Sequence, residues 1–503
     1  MGYIEGTSRM QMTYWALEDL IDEESIVRVI DRYIETLDLS KLGFTRTKPA
    51  ETGRPGYPAG MLAKLYVYGY ENGIRSSRKL EKEARRNVEV MWLTEGLTPD
   101  YKTIAEFRRL NIRPIQKLFR EFVKLCRSWE LVGGDLIATD GSKFKASNNK
   151  KNNFSRKKLD DRLKRLDEKI EEYLSSLDES DRREANETNA PEGLLKLLER
   201  KELYEKYKAH LDETGENEVS TTDPDSRLMG NNRGGVDVAY NVQSAVDAKN
   251  HIILNYDVSV NPSDQGCLQT TAKMLMRESF RRFTLLADKG FYNGVDLSKM
   301  KQYGIKAIVP RQNLPNPKNQ PAKFHIENFQ YVPESDTYRC PIGKVLYLRS
   351  HKRKDERKIY HNKSACANCP HATDCITGKA NHRTISRSKY ADICDKADRT
   401  YKENQERYKL RQQTVEHPFG TIKREMNGEY FLLRTRRKVR CEISLLFLGY
   451  NLKRAYNVLG FKDIMAKLDS LSLLFIRLLQ LPKLYSPYLT FFTTNMLGFD
   501  AVS

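Results

Sequence analysis

Three acidic residues stand where a folded chain could gather them. Asp140 follows the apolar run Leu136-Ile-Ala-Thr139, and Asp288 follows Phe283-Thr-Leu-Leu-Ala287. Runs this short and apolar read as buried strands, so each aspartate is delivered at a strand's exposed end, with a glycine turn expected straight after it at Gly141 and at Gly290. Glu416 lies in Arg411-Gln-Gln-Thr-Val-Glu-His-Pro-Phe-Gly-Thr-Ile-Lys-Arg424, an expected helical segment, seven residues before Lys423, so the two share a helix face. Pro418 must sit in a first turn or kink the helix, which would put Glu416 near a helix start. Three clustered carboxylates repel one another unless a divalent ion neutralises them, and Mg²⁺ (or Mn²⁺) combines carboxylates with water and phosphate oxygens. Two such ions per site can activate a nucleophile and stabilise the leaving oxygen in an in-line displacement at phosphorus. The bland readings also stand: Asp-Gly is ordinary turn chemistry, and a glutamate on a basic helix is ordinarily a surface residue.

A second set is Cys340, Cys366, Cys369 and Cys375, spaced C-x25-C-x2-C-x5-C, with Pro341-Ile-Gly343 turning the chain after the first. Four thiolates converging from turns suit a structural Zn²⁺ that stabilises a small module lacking its own core. His371 or His382 could replace a thiolate. The alternative is four reduced structural cysteines. Cys126, Cys267, Cys394 and Cys441 are scattered and read as core residues.

The elements that must position these groups belong to a chain of 503 residues, long enough for more than one domain. Its 86 Lys+Arg against 67 Asp+Glu give a net charge of +19, the balance of a protein built to meet a polyanion, with DNA or RNA ahead of a membrane surface. No uncharged apolar run reaches the length of about 18 residues that a membrane span needs, since Leu471 to Leu481 is broken by Arg477 and followed by Pro482. Met-Gly-Tyr-Ile-Glu lacks the basic and apolar regions of a signal peptide. No Ser-His-Asp arrangement or phosphate-binding glycine loop competes with the carboxylates.

Residues 1–130 read as a helical domain, either a helix-turn-helix-like DNA-binding module or a dimerisation bundle, with Gly53-Arg-Pro-Gly-Tyr-Pro58 as a break. Its basic cluster, Arg75, Arg78, Lys79, Arg85 and Arg86, is the expected phosphate-contacting surface. Residues 131–460 read as a mixed α/β core. Lys143 and Lys145 open a basic stretch after Asp140. Within 150–222, Leu159, Leu163, Leu166, Ile170, Tyr173 and Leu177 form a heptad seam, and a second helix follows a polar loop with Asn186, Asn189 and Pro191. This predicts an inserted helical hairpin whose role, whether packing, dimer contact or DNA clamping, stays open. After Asn232-Arg-Gly-Gly235, a hairpin of strands is followed by a helix opened by Pro262 and by alternating strand and helix, which gives a mixed sheet with helices on it. The cysteine insertion spans 311–392, and 461–503 reads as a C-terminal helical tail.

Several segments jointly resemble the DDE-class transposases of bacterial insertion sequences: the helical module ending near Phe107, Thr139-Asp-Gly-Ser-Lys-Phe144, Thr222-Asp-Pro-Asp-Ser-Arg-Leu-Met229, Tyr240-Asn-Val-Gln-Ser-Ala-Val-Asp247, Ala287-Asp-Lys-Gly-Phe291 and Val415 to Lys423. The resemblance implies a ribonuclease-H-like core carrying the helical hairpin and a zinc-ribbon-like insertion. It implies that Asp140, Asp288 and Glu416 hold the catalytic metals and that Lys423 contacts DNA phosphate. A related Tyr-Arg-Glu-Lys signature is met by Tyr408 and Arg411, although the step from Arg411 to Glu416 is one residue longer than the pattern. Asp247 and Asp264 fall near the site by motif, with a plain hairpin turn the equal reading for Asp247. The implied protein binds double-stranded DNA, both terminal inverted repeats and target, acts as a homodimer without a membrane partner, and is cytoplasmic, nucleoid-associated when on DNA. A DNA-binding regulator with an inactive core and a nuclease that never joins strands are the rival functions.

Overall fold

A computed structural model describes residues 10–12, 14–49, 51–52, 55–175, 192–231, 234–312, 320–352, 356–377 and 380–480, with backbone alone for 472–480. Gly53, Arg54, Leu177, Asn186, Asn189, Pro191, Asn232, Arg233, Pro482 and the tail beyond 480 lie outside the described residues. The chain divides into two compact units: Met1–Leu131 with Arg424–Gly428 and Cys441–Ser503, and Val132–Lys423 with Glu429–Arg440. No described helix is long and apolar enough to cross a membrane.

The first unit is helical: α1 (Ile26–Glu35), α2 (Ala59–Glu71), α3 (Ser77–Glu83), α4 (Val88–Leu93), α5 (Tyr101–Leu110) and α6 (Ile112–Ser128). The starts of α1, α4 and α5 are set by short polar side chains, since Ser25 accepts from Val27 N, Asn87 from Glu89 N and Val90 N, and Asp100 from Lys102 N and Thr103 N. α1 ends at Glu35. α2 is buried on nearly every side. A Cβ on its Gly69 would stand 2.6 Å from both Ile74 O and a Leu80 methyl, so the helices approach only because the side chain is missing. Arg75 departs from expectation. It is buried and paired with buried Glu442 at 3.0 Å, so it holds the helices together and offers nothing to a phosphate.

In the second unit the central sheet begins with β1 (Leu136–Lys145), and this is a correction: the chain does not turn at Gly141. A long antiparallel partner carries β1 onward. After the ribbon β2 (Asn153–Ser155) and β3 (Glu218–Ser220) come β4 (Arg227–Gly230), β5 (Val236–Asp247), β6 (Ile253–Ser259), β7 (Thr284–Ala287) and β8 (Lys306–Ile308). The order is β4-β5-β1-β7-β8, with β6 also on β5. β5 runs antiparallel to β1 and keeps pairing it as far as Lys145, while β7 and β8 run parallel to β1. Between β2 and β3, α7 (Arg156–Ser175) and α8 (Glu192–Thr214) pack through Leu159, Leu166, Tyr204 and Leu211, with Phe154 of β2 closing the base. α9 (Cys267–Arg277) starts after Gly266 (φ +83) rather than at Pro262, and α10 (Gly294–Tyr303) follows β7.

The cysteine-bearing insertion does have a core of its own, against expectation. Strands β9 (Gln330–Val332), β10 (Thr337–Arg339), β11 (Val345–Lys352), β12 (Arg357–His361) and β13 (Thr384–Ser388) form an antiparallel sheet around Phe329, Tyr338, Leu346, Tyr360 and Ile385. The short helices α11 (Lys363–Ala367) and α12 (Ala372–Cys375) lie between β12 and β13. Asp336 ties the sheet together, accepting from Tyr331 Oη at 2.8 Å, Tyr360 Oη at 2.6 Å and Lys358 Nζ at 2.9 Å. Lys358, then Tyr360 and Tyr331, hold its carboxyl down at about 2. A depressed carboxylate stabilises the fold above its unfolded value of about 4 and loses that contribution as pH falls toward 2. Asp336→Asn should therefore destabilise this module at pH 7 by on the order of 1 kcal/mol, solvent screening having reduced the full effect, and by much less at pH 2, where the carboxyl is largely protonated in the unfolded chain and about half so in the folded one. Denaturant melts at the two pH values check this.

The chain ends with α13 (Ala391–Glu403), α14 (Gln405–Arg424), α15 (Arg436–Leu459) and α16 (Phe461–Gln480). Pro418 lies inside α14 without ending it, so Glu416 is in mid-helix and not near a start. Thr414, Val415, Pro418, Phe419 and Ile422 form the buried face that keeps the helix in place despite the missing N–H.

Candidate active site

The register of two parallel strands sets the centre. Thr139 of β1 pairs with Ala287 of β7. The next residues, Asp140 and Asp288, therefore emerge side by side at the carboxyl end of the parallel pair. Asp140 accepts from Gly141 N at 2.9 Å, and Asp288 from Lys289 N at 2.7 Å, which fixes the start of a one-turn helix over Lys289–Phe291. A third carboxylate joins them from the loop before α9. Asp264 Oδ1 accepts from Asn241 Nδ2 at 2.8 Å and Gln243 Nε2 at 2.6 Å, and Lys143 Nζ stands 3.9 Å away.

The electrostatics follow from this crowding. Burial pushes the Asp140 carboxyl up to about 6, Arg411 opposes the rise, and Asp264 and Asp288 add to it. Arg411 Nη1 lies 3.6 Å from Asp140 Oδ2, yet one guanidinium does not offset desolvation and two neighbouring acids. The centre is short of positive charge, which is the electrostatic condition a divalent cation relieves.

α14 runs along β1. Arg411 reaches Asp140, Phe419 packs on Phe144 with ring centroids 6.0 Å apart, and Lys423 Nζ donates to Ser142 Oγ at 2.7 Å and Lys143 O at 3.0 Å. Lys423 also lies 4.7 Å from the Phe144 ring, and burial lowers its pKa. It braces β1 in this structure. Tyr408, whose hydroxyl burial pushes up, bonds Arg411 and feels Asp288. The longer step between Arg411 and Glu416 thus leaves Arg411 beside the aspartates. The Glu416 side chain is exposed and makes no hydrogen bond or ion pair with any described residue; Asp140, Asp288 and Asp264 are the acids close enough to act on one another.

Asp247 is a structural residue. Fully buried, it accepts from Gly133 N at 3.1 Å, Gly134 N at 2.8 Å and Lys249 N at 3.0 Å. Lys145 is exposed, its backbone bonded to Glu429 O at 3.1 Å. In the helical unit Arg78 lies 5.1 Å from the Tyr101 ring, Lys79 is exposed, Arg85 pairs with Glu81 at 3.2 Å, and Arg86 pairs with Glu83. Cys340, Cys366, Cys369 and Cys375 line one cavity with Phe324 and Phe329, and Lys344 N donates to Cys340 Sγ at 3.2 Å. His371 and His382 do not line that cavity. Among the described residues no group of three or more His, Cys, Asp or Glu side chains stands in a geometry that could hold a metal ion, neither at the aspartates nor at the cysteines.

The cluster of Asp264, Asn241 and Gln243 next to Gly141 is the polar feature least visible beforehand. A signal existed, because strand alternation puts Asn241 and Gln243 together on the face of β5 opposite Tyr240 and Val242, and buried amides need partners.

Two family models match the chain: a transposase domain (DUF772) over residues 15–110 and a transposase DDE domain over residues 339–456. The second range contains Glu416 and Lys423. No curated relative matches. A cryo-EM structure of a piggyBac transposase synaptic complex with hairpin DNA aligns with 96% of this chain and 87% of its own, at 9% identity and a TM-score of 0.32, a likeness too loose to carry an argument.

Proposed function

Because the chain is a DDE-class transposase, we propose that it binds the terminal inverted repeats of its element, cuts the DNA ends and joins the resulting 3′-hydroxyls to target DNA, using divalent cations held by Asp140, Asp288 and Glu416. The observation that carries this is the register that sets Asp140 beside Asp288 just past the end of the parallel β1–β7 pairing. The sheet order, antiparallel β5 and parallel β7 and β8 around β1, supports a ribonuclease-H-like core. The charge of +19 supports a nucleic-acid substrate.

In the cut, a water oxygen attacks phosphorus, the bond to the 3′ oxygen breaks, and the departing alkoxide takes a proton to become the 3′-hydroxyl. In joining, that hydroxyl oxygen loses its proton and attacks a target phosphorus, the target's own bond from phosphorus to its 3′ oxygen breaks, and the departing 3′ oxygen takes up a proton, so one phosphodiester replaces another. Two bound divalent cations supply nucleophile activation and leaving-oxygen stabilisation. The chain's own part is to orient. Arg411 holds Asp140, Lys423 braces Ser142 and Lys143, and Lys143 and Lys145 offer positive charge to the backbone phosphates. Glu416 lies on the flank of α14 that it shares with Lys423, exposed in this structure, and would have to turn toward the aspartates to complete the set.

Purified protein with Mg²⁺ and labelled DNA carrying the flanking inverted repeats tests the reading. Strand-transfer products support it. Cleavage without joining points to a nuclease, and binding without either points to a regulator.

The cysteine cavity is proposed to hold structural zinc, since four free thiols line it and a backbone N–H already points at one sulfur. Protein purified without chelator should carry zinc at about one ion per chain, lost in Cys366→Ser/Cys369→Ser together with protection of the module from proteolysis. Elemental analysis showing no zinc would remove the metal and leave four reduced cysteines.

A further inference from the structure

The antiparallel sheet β9–β13 treats the cations on its two faces differently. On the inner face Lys358 pairs with Asp336 at 2.9 Å, and buried Arg387 pairs with Asp392 and Asp395. On the outer face Arg339, Arg349, Lys352 and Arg357 are exposed, and none of them pairs with an acid among the described residues. We propose that this outer face is a docking surface for duplex DNA, which it grips by the sugar-phosphate backbone without reading sequence. The proposal rests on the reading of DNA binding and cutting given above.

Strand register fixes which residues share the face. Tyr347 of β11 stands opposite Thr337 of β10 and His361 of β12, and Lys352 stands opposite Arg357. Directly opposed residues of an antiparallel sheet point to the same side, and Arg339, two positions from Thr337, joins them. The core-forming Tyr338, Leu346, Tyr360 and Ile385 point to the other side. The register shifts between Leu348 and Ser350, which leaves Arg349 as the extra residue of β11. Its guanidinium lies 5.6 Å from the Tyr347 ring and so stays on the outer face.

A face that merely solvates a fold mixes both signs of charge. Here no acid occupies a strand position on the outer side, and Glu356, at the entrance to β12, is taken up by Lys389. Lys352 directly opposes Arg357, and like charges in that relation are destabilising. Burial, then His382, Lys363 and Arg349, lower the His361 pKa, so that ring meets cations and no carboxylate. A polyanion relieves all of these repulsions. The hydroxyls of Tyr347, Ser386 and Ser388, also exposed, are the other donors that phosphate oxygens accept from. From Val345, opposite Arg339, to Lys352 the strand runs roughly 20 Å, over which a duplex carries about a dozen phosphate charges. Five strands side by side span about 19 Å, too wide to enter a major groove of about 12 Å, so the sheet meets the backbone and not the base edges.

The test compares full-length parent with Arg349→Gln/Lys352→Gln/Arg357→Gln. Binding to one labelled duplex carrying the inverted repeat and to one of unrelated sequence is followed by anisotropy over a range of salt concentrations. A control, Lys196→Gln/Lys206→Gln/Lys208→Gln on α8, removes the same charge from lysines already paired with Glu192, Glu202 and Asp160. We expect the sheet variant to lose about tenfold or more in affinity for both duplexes and to lower the slope of log affinity against log salt by about 2 to 3. It should melt no lower than the parent, and the control should stay within about threefold of parent affinity. Parent-like affinity and slope in the sheet variant, or an equal loss in the control, would show that the face is only solvated and overturn the inference. A loss confined to the repeat duplex overturns it too, since the surface would then read sequence. A parent that binds neither duplex removes the underlying reading as well. Should the triple variant melt lower, Lys352→Gln alone, which relieves the repulsion with Arg357, is expected to lower the slope by about 1 with the melt unchanged. The parent's slope there would also overturn the proposal.

Discussion

Asp140→Asn is expected to reduce DNA cleavage and joining by about three orders of magnitude or more while leaving DNA binding within about threefold of the parent. Removing one ligand from a centre that must stabilise charge on both the attacking and the leaving oxygen forfeits several kcal/mol of transition-state stabilisation, and about 1.4 kcal/mol is tenfold in rate. The fold should not suffer. Asparagine fits the same place between β5 and β7, and its Oδ1 still accepts from Gly141 N. The substitution also removes a charge that burial, Asp264 and Asp288 all disfavour. In metal-free buffer the variant should melt no lower than the parent, as expected where function is kept at the expense of stability. Gel assays of labelled ends and a thermal melt measure both. Retained cleavage would take Asp140 out of the centre, and a collapsed melt would mean that it is structural.

The largest effect on stability is expected from Glu442→Ala in the helical unit. Glu442 is fully buried, its Oε1 lies 3.0 Å from Arg75 Nη1, and it also acts on buried Arg108, whose guanidinium lies 5.4 Å from the Tyr66 ring. Breaking such a pair from one side leaves cationic charge out of reach of water, at a cost of about 3–5 kcal/mol. For a unit of this size that lowers the melting temperature by roughly 10 °C. Replacing both partners, Arg75→Met with Glu442→Leu, should recover part of the loss, because two apolar groups need no compensation. A single substitution costing under about 1 kcal/mol would show that water or a rearranged neighbour reaches Arg75.

The two substitutions differ in what the sequence could say about them. Periodicity is local information, so it was enough for the helices around Ile30 and Leu159, the β5–β6 hairpin, and the apolar runs that end in Asp140 and Asp288. Spacing alone also singled out the four cysteines that come to line one cavity. What it could not give is the partner of each residue. Arg75 in a basic run reads as surface, and only the packing of a chain segment hundreds of residues later buries it against Glu442.

Gly141 after an aspartate reads as a turn. The chain stays extended because β5, formed by residues about a hundred positions away, keeps hydrogen-bonding it to Lys145. Pro418 reads as a helix boundary, yet the buried face of α14 carries the helix through it. The sequence by itself determined the residue types that could bind a cation and phosphates, and the strands and helices that carry them. Only the tertiary structure decided that Asp264 lies close enough to act on Asp140, that Arg411 and Lys423 contact β1, and that Asp247 is taken up by the backbone of Gly133, Gly134 and Lys249. Strand register and side-chain contacts depend on residues distant in the chain, and no local pattern encodes them.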